Sequence, residues 1–149
     1  MAVINPPGIP IERGKIHEYA NSIMDDNPLY HDEEAAKAAG LPSVVAPPTY
    51  TAVQNYFAKP GEGMMELCQK FDLDLRYVLH GGREFFFERP IFAGDQLIKT
   101  EGEINVFTKE GKRGGAMKFV EINTEFTDQK GEVVLRVKDT VIQTGGVVK

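Results

Sequence analysis

The chain holds a single cysteine, Cys68, and no tryptophan. One cysteine cannot close an intrachain disulfide, so the fold must be held by its core, and a reducing, cytoplasmic compartment is the expectation. Positive charge is also short: 17 Lys and Arg stand against 22 Asp and Glu, a formal net charge of −5. A nucleic-acid surface needs a cationic excess, so no nucleic-acid partner is expected. No apolar run approaches the ~18 residues of a membrane span. The opening MAVINPPGIPIERGK has no apolar core of a secretion signal. The patterns CxxC, HExxH, GxGxxG and GxSxG are missing, so neither a metal site nor a bound nucleotide nor a serine nucleophile is expected. Hydrophobic residues at 42% and charged residues at 26% over 149 positions suffice for one folded domain, residues 1–149.

The two halves follow different periodicities. From Glu12 to Met24, Ile16, Tyr19, Ala20 and Ile23 fall at helical spacing. Asp25-Asp26-Asn27-Pro28 then ends the helix, because turn formers and a proline interrupt it. Asp32 is placed to cap a short helix over 33–39, with acids in its first turn and Gly40 after its end. Pro48 suits the start of another helix reaching Phe57, with Tyr50, Val53 and Phe57 on one face. The second half is β-favouring. Arg83–Arg89 is aromatic-rich, and 96–107, 115–127 and 132–144 are long runs joined by the glycine-containing links 110–114 and 128–131. Val133, Leu135, Val137 and Val141 share a face, with Arg136 and Lys138 opposite.

Helices followed by long antiparallel strands define an α+β fold. A sheet wrapped around one central apolar helix, 48–57, would bury both, with the other helices as N-terminal additions. The edges of such a sheet must be paired or covered, which predicts dimerisation.

Three stretches in this order resemble the MaoC-like acyl dehydratase and (R)-specific enoyl-CoA hydratase family. They are Asp25-Asp26-Asn27-Pro28-Leu29-Tyr30 with the following Glu34–Gly40, then Val45-Ala46-Pro47-Pro48-Thr49-Tyr50, then His80-Gly81-Gly82-Arg83-Glu84-Phe85 through Arg89-Pro90 to Ala93-Gly94-Asp95-Gln96-Leu97. The resemblance implies a single hot-dog fold and reversible addition of water to a 2-enoyl thioester. In the family's catalytic half an Asp and a His five residues apart hold the water, and a backbone N–H polarises the thioester oxygen. Aligned on Asn27-Pro28, the Asp position is Asp25 and the His position is Tyr30. A phenol titrates near ~10 and is a poor base at neutral pH. His31 is adjacent, so Asp25 with His31, or Asp26 with His31 at the family's separation, is the candidate catalytic pair. Where the catalytic half has His-Gly, this chain has Pro47-Pro48, and proline donates no backbone N–H.

The resemblance therefore points to the N-terminal, substrate-binding type of domain, with Asn27, Tyr30, Pro47, Thr49, Tyr50 and His80 around the thioester. The expected partners are a CoA- or acyl-carrier-linked substrate and a second MaoC-like subunit, in a homodimer or heterodimer, with no other cofactor. A self-sufficient homodimeric hydratase using Asp25 or Asp26 with His31, a non-enzymatic acyl-CoA-binding module, and a thioesterase are the alternatives. Structural readings stand beside these. Asp25–Pro28 is a helix stop, His80 a turn residue before two glycines, Phe85–Phe87 sheet core, and His17 a surface side chain without an assigned partner.

Overall fold

The computed structural model describes residues 8–52, 63–111 and 115–145. Helix α1 (Arg13–Ser22) buries Ile16 and Ala20, one turn apart on the same face. A 3-10 turn follows at Pro28–Tyr30, capped by Asn27, whose side chain accepts from Leu29 N. Helix α2 (Glu33–Ala38) is capped as its sequence predicts. Asp32 Oδ1 accepts from Glu34 N at 2.8 Å and from Ala35 N at 3.4 Å.

The two helices end in the same hydrogen-bonded motif with different residues. After α2, Gly40 N binds Lys37 O and Leu41 N binds Ala36 O, with Gly40 at φ +81°. After α1, Met24 N binds Asn21 O and Asp25 N binds Ala20 O, with Met24 at φ +56°. Glycine adopts that left-handed conformation without a Cβ penalty, and methionine does not.

Of the predicted helix 48–57, residues 53–57 lie outside the described residues; a turn at 48–49 and a 3-10 turn at 50–52 precede them. Helix α3 (Met64–Lys70) has no counterpart in the sequence reading. Its N-cap is Gly63, which offers no side-chain acceptor, and its first residues Met64 and Met65 are exposed, so no apolar period announces it.

The strands are β1 (Ile9–Pro10), β2 (Val78–Phe87), β3 (Gln96–Glu110), β4 (Ala116–Thr127) and β5 (Val133–Gln143). They form one sheet in the order β1-β3-β4-β5-β2. β1 runs antiparallel to β3 with Ile9 opposite Leu97. The terminal position of β1 tolerates Pro10, which has no N–H to contribute. β2 begins at Val78 and ends at Phe87, whereas the sequence placed it at 83–89. Its start is masked in sequence by Gly81-Gly82, which reads as a turn. A Cβ at Gly81 would lie 2.5 Å from Ile142 Cδ1, so glycine is there to let strand and side chain approach. Among the described residues no helix is long and apolar enough to cross a membrane.

By internal packing the chain divides into two compact units, residues 1–57, 87–99 and 126–135, and residues 58–86, 100–125 and 136–149. In the first, Ile16, Val44, Leu97, Phe126, Val134 and Leu135 are fully buried. Arg89 is its polar tie. The guanidinium donates to Asp95 at 2.7 and 3.1 Å and to Asp128 at 3.1 Å. Asp95 also accepts from Phe92 N, and Asp128 accepts from Lys130 N and Glu132 N across the β4–β5 turn. In the second unit, Cys68, Leu73, Val120 and Val141 form the core, flanked by Leu67, Phe71, Val78, Ile104 and Ile122.

Replacing Met24 by Gly is expected to raise stability by about 1 kcal/mol, because the left-handed penalty disappears and a side chain that is 92% exposed contributes no burial. Urea unfolding measures it, and an unchanged or lower midpoint contradicts the assignment. A second expectation concerns acid. Burial pushes the Asp128 carboxyl up, but the Glu132 and Lys130 amides and the Arg89 guanidinium together hold it below its ordinary value. Its unfolded value is near ~3.9, so the folded state releases the proton more readily. The stabilisation is complete at neutral pH and is lost as pH falls through the folded value. Asp128→Asn should therefore be less stable than wild type at pH 7 and show a shallower loss below about pH 4. Identical acid limbs in urea midpoint against pH would contradict this.

Candidate functional site

The first unit brings Asp25, Asn27, Tyr30 and His31 into one loop. The end of α1 aims this loop: after the left-handed turn at Met24, Asp25 N is fixed to Ala20 O at 2.9 Å. The Asp25 carboxylate accepts from Asn27 N at 3.1 Å, and Asn27 Oδ1 accepts from Leu29 N at 3.1 Å. These are the side chain to backbone turns that Asp and Asn favour. They leave Asp25 and Asn27 half-buried and Asp26 exposed.

Tyr30, at the position where the catalytic family half carries histidine, is held protonated. Burial raises its phenol above the ordinary value, and the negative charge of Asp25 raises it further. Such a group donates a hydrogen bond but does not take a proton from water at neutral pH.

His31 Nε2 lies 2.8 Å from the main-chain carbonyl of Asp25. His31 Nδ1 lies 2.8 Å from Nδ1 of His17, with the two rings edge to face at 88°. His31 thus meets the backbone of Asp25, while the Asp25 carboxylate is engaged by Asn27. His17, His31, Asp25 and Asp26 line a cavity of about 360 Å³ with Asn21 and Met24.

The segment 44–51 reaches the same unit through backbone bonds. Val45 N donates to Leu29 O, Ala46 N to Ile91 O, and Ala93 N to Val44 O. Pro47 is fully buried. The exposed Thr49 is bound by α1, since the Tyr19 hydroxyl donates to Thr49 Oγ1 at 2.7 Å. Tyr50 is 2% exposed and packs edge-on against the Tyr19 ring at 5.5 Å. Burial, reinforced by Glu12 and Glu18, pushes its phenol to about 12, so it stays neutral. Tyr50 is therefore placed as core beneath the segment.

Thr51 has no place in the sequence reading. It is 4% exposed, and its hydroxyl has no hydrogen-bond partner among the described residues. Its only sequence signal is its position three residues after Pro48.

His80 belongs to the second unit. Its Nε2 is 3.5 Å from Asp139 Oδ1, and Arg83 binds the same carboxylate through both oxygens at 2.5 and 3.0 Å. Arg83 and Arg89 are thus both bound to aspartates rather than presented as free cations. Among the described residues, no three metal-ligating side chains converge.

The family of FAS1-like dehydratase domain regions matches residues 2–137. A UPF0336 protein of Saccharopolyspora erythraea is 37% identical over 139 residues, covering 93% of this chain and 84% of its own. Among solved structures, the C-terminally truncated HadBC (3R-hydroxyacyl-ACP dehydratase) complex of Mycobacterium tuberculosis superposes with a TM-score of 0.69 at 23% identity, covering 92% of this chain and 90% of that one. A second M. tuberculosis protein, described as a double hot-dog fold, gives 0.55 at 18% identity over 94% of this chain and 40% of that one. This chain therefore has a hot-dog fold of the α+β class and belongs to the FAS1-like dehydratase-region family.

Proposed function

We propose that this chain is the substrate-binding, non-catalytic half of an enoyl-thioester hydratase or 3-hydroxyacyl-thioester dehydratase, completed by a second MaoC-like hot-dog subunit. The observation that carries the reading is Tyr30. Hydration adds a hydroxyl to C3 and a proton to C2, so some group must accept a proton from water. At the position of that base stands a phenol that burial and Asp25 keep protonated. Pro47 and Pro48 stand where the oxyanion donor belongs, and neither has an N–H to give. Membership of a dehydratase family and likeness to a 3R-hydroxyacyl-ACP dehydratase complex support a partnered enzyme rather than an isolated one.

On this reading the loop at Asp25–Tyr30 and the segment at Pro47–Thr51 hold the acyl thioester, carried on CoA or an acyl-carrier protein. The Tyr30 hydroxyl donates to it, and the Thr51 hydroxyl, which has no partner among the described residues, has a hydrogen bond to offer.

The purified chain should not hydrate a short enoyl thioester alone and should do so when mixed with a partner chain bearing an intact Asp/His pair. Full activity of the chain by itself would overturn the proposal. In the mixed enzyme, Tyr30→Phe should weaken thioester binding by roughly 3- to 10-fold, the value of one neutral hydrogen bond. Thr51→Val separates stability from function. Removing a buried unpaired hydroxyl should stabilise the free chain by about 1 kcal/mol while weakening the thioester. Stabilisation with unchanged binding would remove Thr51 from the site.

A further inference from the structure

We infer that His17 is a positioning residue, which acts through His31 to fix the Asp25–Tyr30 loop by a hydrogen-bond chain with defined tautomers. The inference rests on the reading of that loop as part of the thioester site. It concerns two residues to which no binding role falls in that reading.

The direction of the chain follows from donor chemistry. A main-chain carbonyl only accepts, so the proton of His31 sits on Nε2, which faces the Asp25 carbonyl at 2.8 Å. A neutral imidazole has one donor and one acceptor, so His31 Nδ1 carries a lone pair. The atom facing it at 2.8 Å is His17 Nδ1, which must therefore bear the proton of that ring. His17 Nε2 is then an acceptor, and Asn21 Nδ2, one helical turn along α1, lies 3.0 Å from it. Each donor meets one acceptor along the line Asn21, His17, His31, Asp25. No other arrangement of two neutral rings satisfies every link.

The line ties α1 to the residue on which the loop turns. Asp25 is then held at its N–H by Ala20, at its carbonyl by His31 and at its carboxylate by Asn27. His31 has both ring nitrogens committed, so in this state its one ring lone pair, on Nδ1, is engaged by His17 and is not free to take a proton from water. It serves the backbone of Asp25, and the pairing of Asp25 or Asp26 with His31 as acid and base is not available while the chain is intact.

Imidazole nitrogen-15 spectra of the full-length protein at neutral pH test the assignment directly. His17 should appear as the Nδ1–H tautomer, the minor form of a free histidine, and His31 as Nε2–H. Ordinary Nε2–H signals from both rings would overturn the proposal. Its effect on the loop is read at the Asp26 amide, the N–H next to the Asp25 carbonyl. His17→Leu should shift that signal. His17→Asn, whose amide nitrogen can stand in for Nδ1–H, should restore it. In the mixed enzyme His17→Leu should raise KM for the thioester by roughly 3- to 10-fold, the equivalent of one lost hydrogen bond, with kcat little changed, and His17→Asn should recover most of it. An unmoved Asp26 amide in His17→Leu, or no rescue by Asn, would refute the positioning role. If the wild-type mixture has no activity, the thioester reading fails, while the tautomer and Asp26 signals still decide this inference.

Discussion

The guanidinium of Arg89 is the interaction on which the first unit depends. It binds Asp95 through both nitrogens and reaches Asp128 in the β4–β5 turn. Each carboxylate in turn organises backbone: Asp95 takes the Phe92 amide, and Asp128 the Lys130 and Glu132 amides. Buried carboxylates are tolerable only with such compensation, because desolvation alone opposes their charge. The consequence reaches the site. With residues 90–95 fixed, Ile91 O receives Ala46 N and Val44 O receives Ala93 N. The segment carrying Pro47, Thr49 and Thr51 is thereby seated on a frame whose geometry Arg89 determines.

On that frame the proposed reading separates holding a thioester from hydrating it. Asp25 keeps its place in the loop, but its carboxylate accepts from the Asn27 amide rather than from an imidazole. His31 is turned toward the backbone and toward His17. A group that remains protonated orients a carbonyl well and abstracts a proton poorly. On the proposed reading the loop keeps hydrogen-bonding capacity without a free imidazole to act as base, and a second subunit supplies that group.

How much of this could be read in the sequence follows from the range of the interactions involved. The cap at Asp32, the glycine stop at Gly40 and the long strands from Gln96 onward were legible, because each is set by neighbours within a few residues. The loop Asp25–Tyr30 was legible for the same reason, since Asx turns are local. The start of β2 was hidden because Gly81-Gly82 reads as a turn until Ile142, from a strand far along the chain, is seen to need the space. The role of Arg89 was hidden because Asp128, its partner in the β4–β5 turn, lies 39 residues away in sequence. His17 and His31, 14 residues apart, form a pair only because the chain reverses at Met24, and no spacing rule reports that reversal.

Among the described residues of the first unit, two positions break local rules. Met24 occupies a left-handed site where Gly40 shows what the same motif prefers, and Thr51 buries a hydroxyl that has no partner among the described residues. Both choices cost stability relative to an available substitution. They fall at the root of the loop holding Asp25 and in the segment after Pro48, not in the core built by Leu97, Phe126 and Leu135. Sequences are locally consistent where only folding is at stake, and inconsistencies concentrate where a ligand or a partner must be met. The location of the two exceptions thus supports the proposed reading of that loop and segment, by a line of reasoning that makes no use of the phenol.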